Sequence, residues 1–166
     1  QNKLAYADEV NLFKRTILYA AFPKNSRWYH IAEPDTKTEA GAMVFFRIKE
    51  GVSDKEFKNF INEELTPTLA NTGMLKELRN KAYNPWKQKQ WNTPNVKHDN
   101  DESVQFHASL VLGFANKSEM DKFFLSEEIK KLSERISTYC SAVHAYEIAE
   151  TITFVKEGTK LTEDKK

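Results

Sequence analysis

One cysteine, Cys140, stands among 166 residues, so an intrachain disulfide is impossible and no multi-cysteine zinc or iron–sulfur spacing exists. A dominant charge is missing too: 25 Lys plus Arg face 24 Asp plus Glu, a formal charge of +1. With no net field to gather polyanions, neither nucleic acid nor an anionic membrane is an expected partner. No apolar run approaches the roughly 18 residues of a bilayer span, so no membrane span is expected. Residues 1–40 lack the basic and apolar regions of a signal peptide. The chain opens on Gln1 rather than Met, which reads as a processed terminus. Export, periplasmic or secreted, is the expectation from it, with the cytoplasm as the alternative. No Gly-rich phosphate loop or nucleophile elbow occurs in its required context, which disfavours nucleotide transfer and triad hydrolysis. His98-Asp99-Asn100-Asp101 has metal-ligand types on an irregular loop, but no helical His-x-x-x-His or His-x-His accompanies it, and no metal is expected.

Aromatic and aliphatic residues are plentiful. Hydrophobic residues make up 40% of the chain, with 11 Phe, 6 Tyr and 3 Trp, enough for a real core in one domain. Val10, Phe13, Ile17 and Ala21 recur at helical spacing before Pro23, predicting an amphipathic N-terminal helix over Asp8 to Phe22. A connector to Ala40 follows, within which Trp28-Tyr29-His30-Ile31 suits a short extra strand. Ala42 to Ile48 is apolar on both alternating faces, as in a strand covered on both sides. Ser53 and Glu56 form a capping-box pattern ahead of Phe57, Phe60, Ile61 and Leu65, a helix running to about Leu65 or slightly past Pro67. Met74 to Tyr83 reads as a charged, half-exposed edge strand. Val104 to Phe114 alternates cleanly, with Phe106, Ala108, Leu110, Leu112 and Phe114 on one face and Gln105, His107, Ser109 and Val111 on the other. Ser118 and Asp121 look like a second helix start, followed by a stripe through Phe123, Ile129, Leu132 and Ile136. Ala142 to Val155 is the last strand.

Two strand–helix–strand halves in this order predict an α+β, ferredoxin-like βαββαβ domain. Its four-stranded antiparallel sheet has two helices on one face. The expected organisation is 1–40 for the N-terminal helix and connector, 41–158 for the domain and 159–166 for a polar tail. The other face of such a sheet is bare, and its apolar residues need a cover: the N-terminal segment or a second copy.

The order from Gly41 to Gly158, closing with Ala145-Tyr146-Glu147-Ile148-Ala149-Glu150 and Phe154-Val155-Lys156-Glu157-Gly158, resembles the dimeric α+β barrel superfamily, most like EthD-type domains. The resemblance implies a homodimer with sheets packed face to face. It also implies a ligand pocket between sheet and helices or within the barrel. The reactions it implies are cofactor-free: proton transfer of cyclase or isomerase type, or monooxygenation, on an apolar or aromatic compound. A non-catalytic small-molecule-binding protein of the same fold is the alternative. Haem binding is the third reading, through a single axial His107 or His144, although no Cys-x-x-Cys-His occurs.

Period-two alternation nominates the chemistry-bearing residues. His107, His144 and Tyr146 are the candidate catalytic groups, because imidazole titrates near neutrality and a buried phenol can donate to a developing enolate. Arg47, Gln105, Ser109 and Glu150 are candidate substrate contacts. Trp86 and Trp91 join them from a loop of about 20 residues that suits a lid or an arm. The bland alternatives carry comparable weight: a hydrogen-bonded strand histidine for His107, and strand-loving aromatics for the others.

Overall fold

Among the described residues five strands build an antiparallel sheet: the four of the predicted domain and the short extra strand expected over Trp28 to Ile31, which spans Ser26–His30. The computed structural model describes residues 11–17, 19–31, 38–84, 96–97 and 101–150, and the backbone of 155–156 and 159–160. The strands are β1 (Ser26–His30), β2 (Ala40–Ile48), β3 (Glu77–Ala82), β4 (Ala108–Phe114) and β5 (Cys140–Ile148), in spatial order β1-β3-β4-β2-β5. From β2 to β5 this is the ferredoxin-like βαββαβ arrangement, with β1 added outside β3. The extra strand moves β3 off the edge that its charged sequence predicts: Trp28 pairs with Arg79, and the guanidinium lies 3.8 Å from the centroid of the Trp28 ring. A separate two-stranded ladder, Val155–Lys156 (β6) with Thr159–Lys160 (β7), takes up residues expected to end the last strand and begin the tail.

The first crossover is helical from Asp54 to Ala70 in three pieces: α1 (Asp54–Asn59), a π-helical turn (Phe60–Leu65) and α2 (Thr66–Ala70). The capping box forms as the spacing predicts. The Ser53 hydroxyl accepts from the Glu56 amide at 3.2 Å, and the Glu56 carboxylate accepts from the Ser53 amide at 3.0 Å. The helix continues past Pro67 because the π turn re-registers the chain. The Thr66 amide bonds the Ile61 carbonyl five residues back, and Pro67, which has no N–H, falls in the first turn of α2.

The second crossover is also split, into α3 (Lys117–Leu125) and α4 (Glu127–Tyr139). Ser126 divides them: its hydroxyl donates to the Phe123 carbonyl at 2.8 Å and accepts from the Ile129 amide at 3.3 Å, ending one helix and capping the next. The cap of α3 is Asn116, whose side chain accepts from the Glu119 amide at 3.0 Å; Ser118 lies inside the helix instead of starting it.

The predicted N-terminal helix gives way to extended chain. Within the described residues only Asn11 and Leu12 are helical. Thr16 donates to the Lys97 carbonyl, Lys97 to the Lys14 carbonyl, and Asn84 to the Ala20 carbonyl. These bonds to distant backbone replace the intrahelical ones, a tertiary override of a weak local preference.

The core fills the space between sheet and helices. Ala42, Val44 and Phe46 of β2, Leu78 and Ala82 of β3, and Ala108, Leu110, Leu112 and Phe114 of β4 meet Phe57, Ile61, Leu65, Met120 and Phe123. One polar cluster is buried with them. The Asn80 amide nitrogen donates to Asn62 Oδ1 at 2.7 Å, Asn62 Nδ2 donates to Asn25 Oδ1 at 3.4 Å, and Asn80 Oδ1 accepts from the Arg27 amide at 3.0 Å. Arg27 completes it, donating to the Asn62 carbonyl at 2.7 Å and pairing with Glu63. The cluster ties β1 and β3 to the π turn. No described helix is long and apolar enough to cross a membrane.

Candidate functional site

Helix α4 carries Ile129, Leu132, Ile136 and Tyr139 on one stripe, yet none of its residues is fully buried. The reason is a cleft of about 400 Å³ between it and the sheet. Val44, Phe46, Leu110 and Leu112 form its floor, Leu65 and Leu69 one wall, and Phe123, Ile129, Leu132 and Ile136 the roof. Small residues of β5 make the space. Ala145 pairs with Val44 and Val143 with Phe46, so both project toward α4 and meet it with little bulk. Phe124 and Val143 line the cleft and are exposed, which marks its mouth.

Among the described residues no carboxylate, amine, guanidinium or imidazole belongs to this lining, and its one titratable group is the Cys140 thiol. Burial pushes that thiol up to about 12. Near neutral pH it stays protonated and behaves as a small apolar side chain, since the thiolate is the nucleophile.

The opposite face of the sheet gathers aromatic and polar groups around Phe106. That ring stacks on Phe45 with centroids 4.7 Å apart, meets His144 edge-on at 5.7 Å, and has the Arg47 guanidinium 5.3 Å from its centroid. Tyr146 packs its edge against Phe45. Tyr19 stacks on Tyr83, whose hydroxyl donates to Ser109 Oγ at 2.6 Å, and burial raises the Tyr83 phenol above its ordinary value. Arg47 Nε and His144 Nε2 are buried without a hydrogen-bond partner among the described residues; the Arg47 guanidinium lies over the Phe106 ring, and His144 meets that ring at a steep angle.

His107 lies elsewhere. Its backbone continues the ladder, with the His107 amide donating to Phe46 and its carbonyl accepting from Tyr83. The ring, however, sits under α1: Nδ1 accepts from the Ile48 amide at 3.2 Å, and the imidazole packs edge-on against Phe57. Regular strand begins only at Ala108, after the short 3-10 turn Glu102–Val104. The break inverts the faces expected for Phe106 and His107: Phe106 goes to the open face and His107 to the helix side. Ser109 and Val111 keep their predicted face.

The sheet therefore separates the three candidate catalytic groups, with His144 and Tyr146 on the open face and His107 on the other. Arg47 and Ser109 join His144 and Tyr146. Gln105 is half-buried ahead of β4, and Glu150 is exposed beyond the end of β5. Trp86 and Trp91 lie outside the described residues. Among the described residues no group of three or more His, Cys, Asp or Glu is placed to hold a metal. On the last strand, sequence reasoning chose the face of His144 and Tyr146 and set aside Val143 and Ala145, the smaller and nearly as apolar face, which is the one that lines the cleft. The run of small residues Ala142, Val143 and Ala145 opposite a strongly amphipathic helix was the signal available.

Burial lowers the His107 pKa below its ordinary value of 6.5, with the Asp54 carboxylate opposing that shift. The neutral ring is the one that accepts from Ile48, so folding favours it. That contribution is full above the unfolded-state value and is lost as pH falls through the lowered folded-state value. Thermal melts of the wild type should accordingly lose stability on acidification below about pH 6.5. His107→Asn, which keeps an acceptor but does not titrate, should flatten that part of the profile; an unchanged slope would count against the buried neutral ring.

No protein-family model and no curated protein matches the chain. Several solved structures align with it at low identity. An Arabidopsis thaliana protein is 13% identical, the alignment covering 70% of this chain and 99% of that one, with a TM-score of 0.48. A hydroxynitrile lyase from Passiflora edulis is 21% identical over 70% and 100% of the two chains, with a TM-score of 0.47. A dimeric protein of unknown function and ferredoxin-like fold from Bacteroides fragilis is 9% identical over 66% and 93%, at 0.45. At these values none of them bears on activity, and the fold stands on strand order and register.

Proposed function

We propose that this protein binds apolar small molecules without transforming them, holding them in the cleft between α4 and β5. One observation carries the reading: a space of about 400 Å³, within the range of ligand sites, lined by aliphatic and aromatic side chains with three serines and, among the described residues, by no group that titrates near neutrality. Catalysis of the EthD type needs an acid or base at the ligand, and the histidines and Tyr146 stand outside the lining. The cleft is open at its mouth, so its apolar walls meet water, and a ligand laid against them removes that area from water at about 25 cal/mol per Å².

The neutral fluorophore N-phenyl-1-naphthylamine tests the reading. Titration should give saturable, blue-shifted emission at one probe per chain. Emission no greater than in buffer, or turnover of a bound compound that depends on His144 or Tyr146, would overturn it.

The open face supports a homodimer as the assembled form. Trp28 and Tyr146 project from it, each 54% exposed, and Met43 and Phe45 lie half-buried between them. Sedimentation equilibrium should report twice the chain mass, and Tyr146→Glu should shift it toward monomer by placing a charge in the contact. A wild-type monomer at high micromolar concentration would remove this part of the reading.

A further inference from the structure

We infer that the cleft selects uncharged ligands bearing a hydroxyl donor, an apolar alcohol or phenol, over the corresponding hydrocarbons and carboxylates. The inference rests on the binding function proposed above and concerns what the cleft prefers. Its polar lining consists of three serines, Ser133 and Ser137 on α4 and Ser141 on β5, which continue one another at intervals of four residues beside the apolar stripe.

Each serine has one hydroxyl proton, and each spends it on a backbone carbonyl. Ser133 Oγ donates to Lys130 at 2.6 Å, Ser137 Oγ to Glu134 at 2.6 Å and Ser141 Oγ to Ile48 at 3.0 Å. What remains toward the cleft is oxygen lone pairs. In this arrangement the row accepts, which suits a ligand O–H, whereas a carboxylate would gain a donor only by breaking one of these three bonds.

Among the described residues no cation belongs to the lining to reverse this preference. The nearby basic groups are engaged outside it: Lys130 with Glu127, Arg135 with Glu64, and Lys49 through a 2.9 Å bond to the Ser137 carbonyl. A carboxylate entering the cleft would lose its hydration to apolar walls without a partner in exchange. A hydroxylated ligand would instead lay its apolar body against Leu110, Leu112 and Ile136 and point its O–H at the serine row.

Calorimetric titration of the full chain at pH 7 with naphthalene, 1-naphthol and 1-naphthoate tests this. Naphthol should bind about 3–10-fold more tightly than naphthalene, as one hydrogen bond at a partly exposed rim allows, and naphthoate more weakly than either. Ser133→Ala, Ser137→Ala and Ser141→Ala combined should abolish the difference between naphthol and naphthalene. Equal wild-type affinities for naphthol and naphthalene would overturn the inference and leave the binding function standing. A preference for naphthoate that Lys49→Met abolishes would overturn it in favour of an acidic ligand. Failure of naphthalene itself to bind would overturn the binding function, and the inference with it.

Discussion

Ala145→Trp is expected to reduce affinity for N-phenyl-1-naphthylamine by about 100-fold, close to 2.7 kcal/mol at 25 °C. Ala145 sits on the edge strand β5, pairs with Val44, and projects into the cleft, where an indole would take the ligand's place against Leu110 and Leu112. Because Ala145 is exposed at the cleft rather than packed in the core, the indole enters free space and the overpacking penalty of a close-packed interior should not arise. The melting temperature should therefore stay within a few degrees of wild type. Ala149→Trp is the control: it adds the same indole beyond the end of β5, away from the lining, and should leave binding intact. Retained affinity in Ala145→Trp would place the ligand somewhere other than this cleft.

Asn62→Ala should be strongly destabilising, costing about 3 kcal/mol, because it removes the middle of a buried chain of amides. Asn62 is 5% exposed and Asn80 1%. Without Asn62, the Asn80 amide nitrogen and Asn25 Oδ1 lose the partners that the structure gives them. Each stranded buried group costs roughly 1–3 kcal/mol, whereas exchanging both partners for apolar side chains can be nearly neutral. Asn62→Leu combined with Asn80→Leu should thus recover part of the loss, and a double-mutant cycle by urea denaturation measures the coupling. Additive single costs would show that the two amides act independently. In a domain of this size the Asn62→Ala loss corresponds to a fall of roughly 6–12 °C in melting temperature.

The fold was legible where the side-chain period was clean. Ala42 to Ile48 and Ala108 to Phe114 read directly as strands, and Ser53 with Glu56 located the first helix start to the residue. Those signals are local: alternation and capping depend on neighbours two to four positions away. The candidate site was less legible, for a reason visible at His107. Period-two reasoning carries a face assignment along a strand only while the strand remains regular, and the chain ahead of Ala108 is not regular. One break sent Phe106 to the open face and His107 beneath Phe57, so a proposed catalytic group came to rest on the far side of the sheet from His144 and Tyr146.

Pro67 and Ser126 show the same limit in the helices. The pattern leaves the helix end open between Leu65 and just past Pro67, and a π turn carries the helix on to Ala70. The stripe from Phe123 through Ile129 to Ile136 reads as one helix, yet the Ser126 hydroxyl ends α3 and caps α4. In both, a single hydrogen bond with a partner three to five residues away changes the direction in which later side chains point.

The sequence by itself determined that this chain carries an α+β fold with a two-faced sheet, because hydrophobic periodicity and capping are written in short-range order. It also determined that no disulfide closes within these 166 residues and that no bulk charge dominates them, since composition alone decides those. Only the tertiary structure decided that β1 joins the far edge, that the histidines part company across the sheet, and that the small residues of β5 meet the amphipathic face of α4 across open space. That cleft depends on the distance between two elements, and such a distance is set by packing over the whole core rather than by either segment alone.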